Sequence, residues 1–303
     1  MKIGQLNALT LLAIYSLVGY PLSLSAQMTK EALLKHLETS FAPTPQEWKE
    51  LNFSQALDLT QTLVMEDSLG HSQRLLNLMT KKALNSTEQD QQVYLETLFS
   101  PILQGVPDLN YSVWKACSKF AKSAYTTNTK LHIQKHLLTQ PQYLDKWLLL
   151  AGFATDDPMP ILQVLEGQKS RSIQQAGKLA LVRMGDEGKT KSFLKTIKRI
   201  PIEDDFVFNI APLAIYTRNK KAIQYLVEII IENRGKCHPA DAETSGQISC
   251  SYRLVELLSP VILDFPKEME KEFSNMNAKE QLGAVIKWLK ANKKRLRIDP
   301  EYL

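Results

Sequence analysis

The stretch SIQQAGKLALVRMGDEGKTKSFLKTIK, residues 172–198, decides the fold. Ile173, Ala176, Gly177, Ala180, Leu181 and Met184 recur at three- and four-residue steps. They line one face of a helix and leave Gln174, Gln175, Lys178 and Arg183 on the other. The small residues on the apolar face let a neighbouring helix come close. Gly185 then stops the helix, Asp186 can cap the next one, and Phe193, Leu194 and Ile197 give that second helix its own stripe. Neither helix is long enough to bury its stripe alone, so the pair must stack on something like itself.

Copies lie on both sides. Ile161-Leu162 with Leu165, and Tyr225-Leu226 with Ile229, repeat the pattern of Phe193-Leu194 with Ile197, and the steps from 161 to 193 and from 193 to 225 are both 32 residues. Each copy follows a segment rich in Leu and Ala: Leu149-Leu150-Ala151, Leu179-Ala180-Leu181 or Leu213-Ala214-Ile215. Equal steps of this length are the signature of stacked helical hairpins that share one apolar seam. Residues 143–233 resemble the HEAT-like, armadillo-type repeats, including those of phycobilisome lyases. The match rests on Ala176, Ala180-Leu181, Arg183-Met184 and Gly185-Asp186, and the chain departs at Ile173-Gln174, where the family usually places Val-Arg. The resemblance implies an all-α fold, a right-handed α-solenoid of stacked hairpins, and no particular activity.

The first 26 residues read as a signal peptide. Lys2 is followed by the apolar run Leu9–Val18, then by the breakers Gly19 and Pro21 and the small residues Ser23, Ser25 and Ala26. Cleavage is expected after Ala26, with Ser25 as the alternative. The run is short of the about 20 apolar residues that cross a bilayer, so the mature chain is expected to keep no membrane span. Export to the periplasm or the medium follows.

Hydrophobic residues make up 44% of the chain, which argues against wholesale disorder. The formal charge of +5 is unevenly shared: residues 27–165 carry a net −2 and residues 166–303 a net +6. Residues 27–140 read as degenerate helical repeats, with capping boxes at Thr44–Glu47 and Ser86–Gln89 and a helical pair at 111–125 and 130–138. Residues 141–303 hold the clearer repeats, a polar insertion at 235–249 and a basic capping helix at about 278–293. No stretch alternates with a two-residue period, so no sheet is expected.

Candidate chemistry is sparse. Cys237 and Cys250 flank the insertion, and in an oxidising compartment they read as a disulfide stapling the loop, the alternative being a redox or zinc pair with His238. Cys117 lies among Trp114, Phe120 and Ala121 and reads as a buried thiol. His132 and His136 share a helix face, but Ile133 stands where a zincin needs glutamate, so they read as a solvated pair. Asp156-Asp157 and Glu203-Asp204-Asp205 precede helix starts and read as caps rather than as acid–base pairs. No nucleotide-binding loop, hydrolase elbow or metalloprotease motif is present, and neither catalytic nor metal-binding nor cofactor-binding residues are assigned.

Lys287, Lys290, Lys293, Lys294, Arg295 and Arg297 form the densest charge cluster. They suit either a solvated helix C-terminus or contact with an anionic surface. Nucleic acid is excluded, since no exposed aromatics are interleaved with them. Three functions remain open: an exported, non-enzymatic scaffold binding another protein in the solenoid groove; a binding module for an anionic envelope lipid or polysaccharide; and an exported enzyme with an unfamiliar site in the concavity. No cofactor is implied.

Overall fold

The computed structural model describes residues 33, 35–37, 46–66, 69–99, 109–139, 141–239, 246–266 and 277–303. The leader, its cleavage point at Ala26 and the box at Thr44 lie outside them. The described chain is helical: α1 (Gln46–Glu50), α2 (Phe53–Glu66), α3 (Leu69–Leu84), α4 (Glu88–Leu98), α5 (Asn110–Cys117), α6 (Thr127–Leu138), α7 (Leu144–Ala154), α8 (Met159–Leu165), α9 (Arg171–Arg183), α10 (Glu187–Ile197), α11 (Ala211–Tyr216), α12 (Lys220–Ile231), α13 (Ser251–Leu258) and α14 (Ala278–Asn292). A 3-10 turn at Lys122–Ala124 precedes α6, and a π-turn at Phe206–Ile210 runs into α11.

Side-chain caps set many of the helix starts. Asp186 accepts a hydrogen bond from the Lys189 N–H at 2.8 Å and opens α10, while Gly185 just before it takes a positive φ of 96°. Asn219 opens α12 through the N–H groups of Lys221 and Ala222. Asn277 and Glu280 form a reciprocal box on α14. On α4 the box stands one residue later than Ser86–Gln89: Thr87 and Asp90 make it, because the aspartate carboxylate reaches back to the Thr87 N–H. The helix expected over 111–125 stops at Cys117. Lys119 and Phe120 donate to the carbonyls three residues back, and the chain turns there.

Packing runs along the sequence. α5 lies on α7, α7 on α9, α9 on α11 and α11 on α13; α8 sits against α6 and α9, α10 against α9, and α14 against α12 and α13. α7 crosses α9 closely: a Cβ on Gly152 would stand 2.5 Å from the Ala180 Cα. The Tyr216 hydroxyl donates to the Leu149 carbonyl at 2.7 Å and ties the end of α11 to the same place.

The 32-residue step of the sequence is not kept as a structural step. α8, α10 and α12 carry its three copies but begin at 159, 187 and 220, so Leu162 is exposed where its counterpart Leu226 is fully buried. Nor is there one continuous seam. Buried apolar side chains gather into a first cluster running from Leu33 to Leu181 and a second from Ile197 to Leu289. The break falls between α9 and α10, within the stretch that opened the sequence.

One short ladder is present where no sheet was expected: Lys236–Cys237 pairs antiparallel with Ile248–Ser249. The Cys237–Cys250 disulfide closes it, holding the two Cα atoms 5.0 Å apart. After α14 the chain returns along 261–263, with Leu263 donating to the Arg297 carbonyl and Asp299 to that of Val261. Residues 299–303 then cross to the first cluster. There the Lys122 N–H donates to the Glu301 carbonyl at 2.8 Å and Leu303 packs against the apolar side chains.

Candidate functional site

The break between the two clusters is open to solvent. α9 and α10 are joined at the Gly185 turn and line two of its walls, and the π-turn and α11 add Ile210 and Leu213. The resulting cleft has a volume of about 990 Å³. Its floor is apolar, with Leu179, Val182 and Ile197 buried and Phe193, Ile210 and Leu213 half-buried. Its rim carries Lys169, Arg171, Lys178 and Lys189, and the lining holds one carboxylate, Asp186, already committed to the α10 cap. Leu179 and Val182 belong to neither apolar cluster although both are buried. An apolar trough with a cationic edge retains ligands that pair apolar bulk with negative charge.

At its C-terminal end α9 carries a second polar arrangement. Arg183 is not on a solvated face as the helical pattern predicts; its guanidinium lies between the rings of Phe153 and Tyr216, at 4.7 and 5.0 Å. It donates to the carbonyls of Tyr216 at 2.6 Å and Tyr302 at 3.0 Å. Arg218 donates to Ile215, Asp299 and the same Tyr302 carbonyl. The two arginines thus cap the end of α11 and hold the C-terminal segment. Burial pushes the Arg183 guanidinium down to about 10 and lowers that of Arg218 as well. No local periodicity signals this pair, because the partners of Arg183 lie 33 to 119 residues away and Arg218 reaches Asp299 and Tyr302.

The sequence candidates are scattered. Cys237 and Cys250 are bonded, and the insertion they close is anchored by Asp204, which accepts from the His238 N–H and faces its Nδ1 at 2.5 Å. That contact lowers the Asp204 carboxyl below its ordinary range, so Asp204 holds the loop instead of capping a helix. Asp205 accepts from the Asn209 side chain, and Asp156 is hydrogen-bonded by Lys130 and Lys122, which keep it ionised; only Asp157 caps, through the Met159 N–H. His132 and His136 are not a solvated pair. Both contact the Phe99 ring, and His136 also meets Trp147 at 4.5 Å, its Nε2 buried and without a partner among the described residues. The cause is packing of α6 on α7, which a one-helix pattern does not display.

Cys117 is fully buried and unbonded, and burial drives its thiol far up. Of the terminal cations, Arg297 is engaged by Asp264 through two hydrogen bonds. Lys287, Lys290, Lys293, Lys294 and Arg295 are exposed, and among the described residues none of these five is ion-paired. Within the same residues no three His, Cys, Asp or Glu side chains converge as a metal site, and no helix is long and apolar enough to cross a membrane. No protein-family model, no curated protein and no solved structure matches the chain.

Proposed function

We propose that the chain is an exported, non-enzymatic scaffold built as an α-solenoid of HEAT-like hairpins, and that the cleft between α9, α10 and α11 binds an acidic amphipathic segment of another protein. The cleft itself carries this reading. Its apolar floor offers burial worth about 25 cal/mol per Å² of apolar surface removed from water, while four rim cations face a single committed carboxylate. A volume of about 990 Å³ accommodates two or three large side chains of a docked helix, the groove mode of recognition.

The test is fluorescence anisotropy of the full chain with three labelled helical peptides: acidic amphipathic, the same with lysine for glutamate, and the acidic composition scrambled. Saturable binding of the first alone, weakened in a Lys178→Glu, Lys189→Glu variant, is the expected result. Equal binding of all three, or of none, refutes the proposal.

A second reading has its own observation, the five exposed cations at 287–295 that have no ion-pair partner among the described residues. It makes the chain a binder of an anionic envelope surface. Sedimentation with vesicles containing anionic lipid should then collapse as salt rises from 50 to 500 mM, whereas peptide binding in the cleft should keep its apolar share.

A further inference from the structure

We propose that the small cavity at the C-terminal ends of α7, α9 and α11 is a binding site for a small oxyanion, a phosphate or carboxylate group held by Arg183, Arg218 and Lys122. The cavity measures about 280 Å³ and is lined by these three cations, by Gly152, Phe153, Thr155 and Met184, by Pro300 of the terminal segment, and by one acid, Asp156. It lies outside the cleft and shares no lining residue with it.

The two guanidinium groups are the reason for the assignment. Each donates to the Tyr302 carbonyl at 3.0 Å, so one neutral oxygen sits between two positive groups. Among the described residues neither makes a salt bridge, and their hydrogen bonds end on backbone carbonyls; the Asp299 carboxylate lies near enough to Arg218 to favour its charge. Capping of α11 accounts for one nitrogen of each arginine. The helix C-terminus and Asp299 favour cations here, and the cavity leaves both guanidinium groups room for a further acceptor beyond those carbonyls. The fork geometry of guanidinium matches the oxygens of phosphate and carboxylate. With the terminal segment in place the cavity still reaches both arginines, so an anion enters beside Pro300 without displacing Tyr302. Lys122 also lines the cavity, its ammonium 3.0 Å from Asp156.

Asp156 and Lys122 give the site a test that leaves the arginines and the terminal segment untouched. Asp156 is largely exposed, and the segment is held by the Lys122 backbone rather than its side chain. Inorganic phosphate and acetate are titrated separately into the full chain at constant ionic strength, with affinity read by calorimetry and by the rise in melting temperature. Saturable binding of either anion is expected, about three- to tenfold tighter in Asp156→Asn and weaker by a similar factor in Lys122→Gln. Opposite shifts in the two variants are a result that a purely structural arginine pair does not produce. No saturable binding of either anion, or affinities unmoved by both substitutions, overturns the proposal.

Discussion

Replacing Gly152 by alanine tests the helix crossing on which the molecule is built. In an exposed helix the change would stabilise by about 1 kcal/mol through propensity alone. At this position the new methyl would lie 2.5 Å from the Ala180 Cα, 2.6 Å from its Cβ and 2.8 Å from the Tyr216 hydroxyl. The first of these is backbone, so α7 and α9 must separate. Overpacking of this kind costs about 1–3 kcal/mol. The Tyr216 hydroxyl must also leave the Leu149 carbonyl, and an orphaned buried donor costs about another 1–3 kcal/mol. Set against the propensity gain, the net loss is about 1–5 kcal/mol, a fall in melting temperature of roughly 3–15 °C for a domain of this size.

Two companion substitutions fix the sign of each contribution. For Gly177→Ala the three nearest atoms all belong to the Leu165 side chain, which can rotate away, and stability should change by less than about 1 kcal/mol. Gly283→Ala in α14 meets nothing within 4 Å and should raise the melting temperature by a few degrees. The readout is circular dichroism melting at 222 nm of all three variants beside the parent. If Gly152→Ala melts at or above the parent while Gly283→Ala does not rise, the close crossing is wrong.

The other predictions concern the joints. Removing residues 299–303 takes carbonyl acceptors from Arg183 and Arg218 and the strap from Lys122, so calorimetry should show two separated transitions where the full chain gives one; a single unchanged transition refutes the coupling. Substituting both Cys237 and Cys250 by serine should cost about 3 kcal/mol in the chain-entropy model and raise hydrogen exchange in α12 and α13 but not in α7 and α9. Burial lowers the His136 imidazole below its ordinary 6.5, so the unfolded chain binds that proton first. Its contribution is whole above about pH 7 and is lost as pH falls through about 6.5 towards the folded value. His136→Phe should flatten the dependence of the urea midpoint on pH between 5 and 8, and an unchanged slope would sink the assignment.

What the sequence disclosed is what a single helix or a short loop determines. The stripe of Ala176, Gly177, Ala180 and Leu181 is buried, Asp186 caps, Gly185 turns and Cys237 finds Cys250, because each depends on neighbours within a few turns or on two thiols bracketing one loop. The periodicity misplaced residues wherever a second helix covers the supposed solvent side. Arg183 is half-buried on the face that the pattern left to solvent, and His136 is covered by α7. Equal spacing in sequence also failed to give equal spacing of helices. The segment between α10 and α11 is longer than that between α8 and α9, and it absorbs the difference in a π-turn.

The two candidate sites arise from that same mismatch. If the proposed repeats kept register, one apolar seam would run past α9 and α10 and cover Phe193 as Leu179 and Val182 are already covered. Because α11 is fed by a longer connection, it meets α9 near its C-terminal end, leaving the cleft on one side and bringing Tyr216 and Arg218 to Arg183 on the other. The terminal segment then crosses the gap that the irregularity leaves, joining Val261 and Arg218 in the second half to Lys122 in the first. Restoring register by shortening the 198–205 connection should therefore shrink the cleft and disperse the arginine pair together, whereas two independent sites would respond separately. Peptide anisotropy and phosphate calorimetry on one such shortened chain measure both, and loss of one with full retention of the other would disprove the common origin.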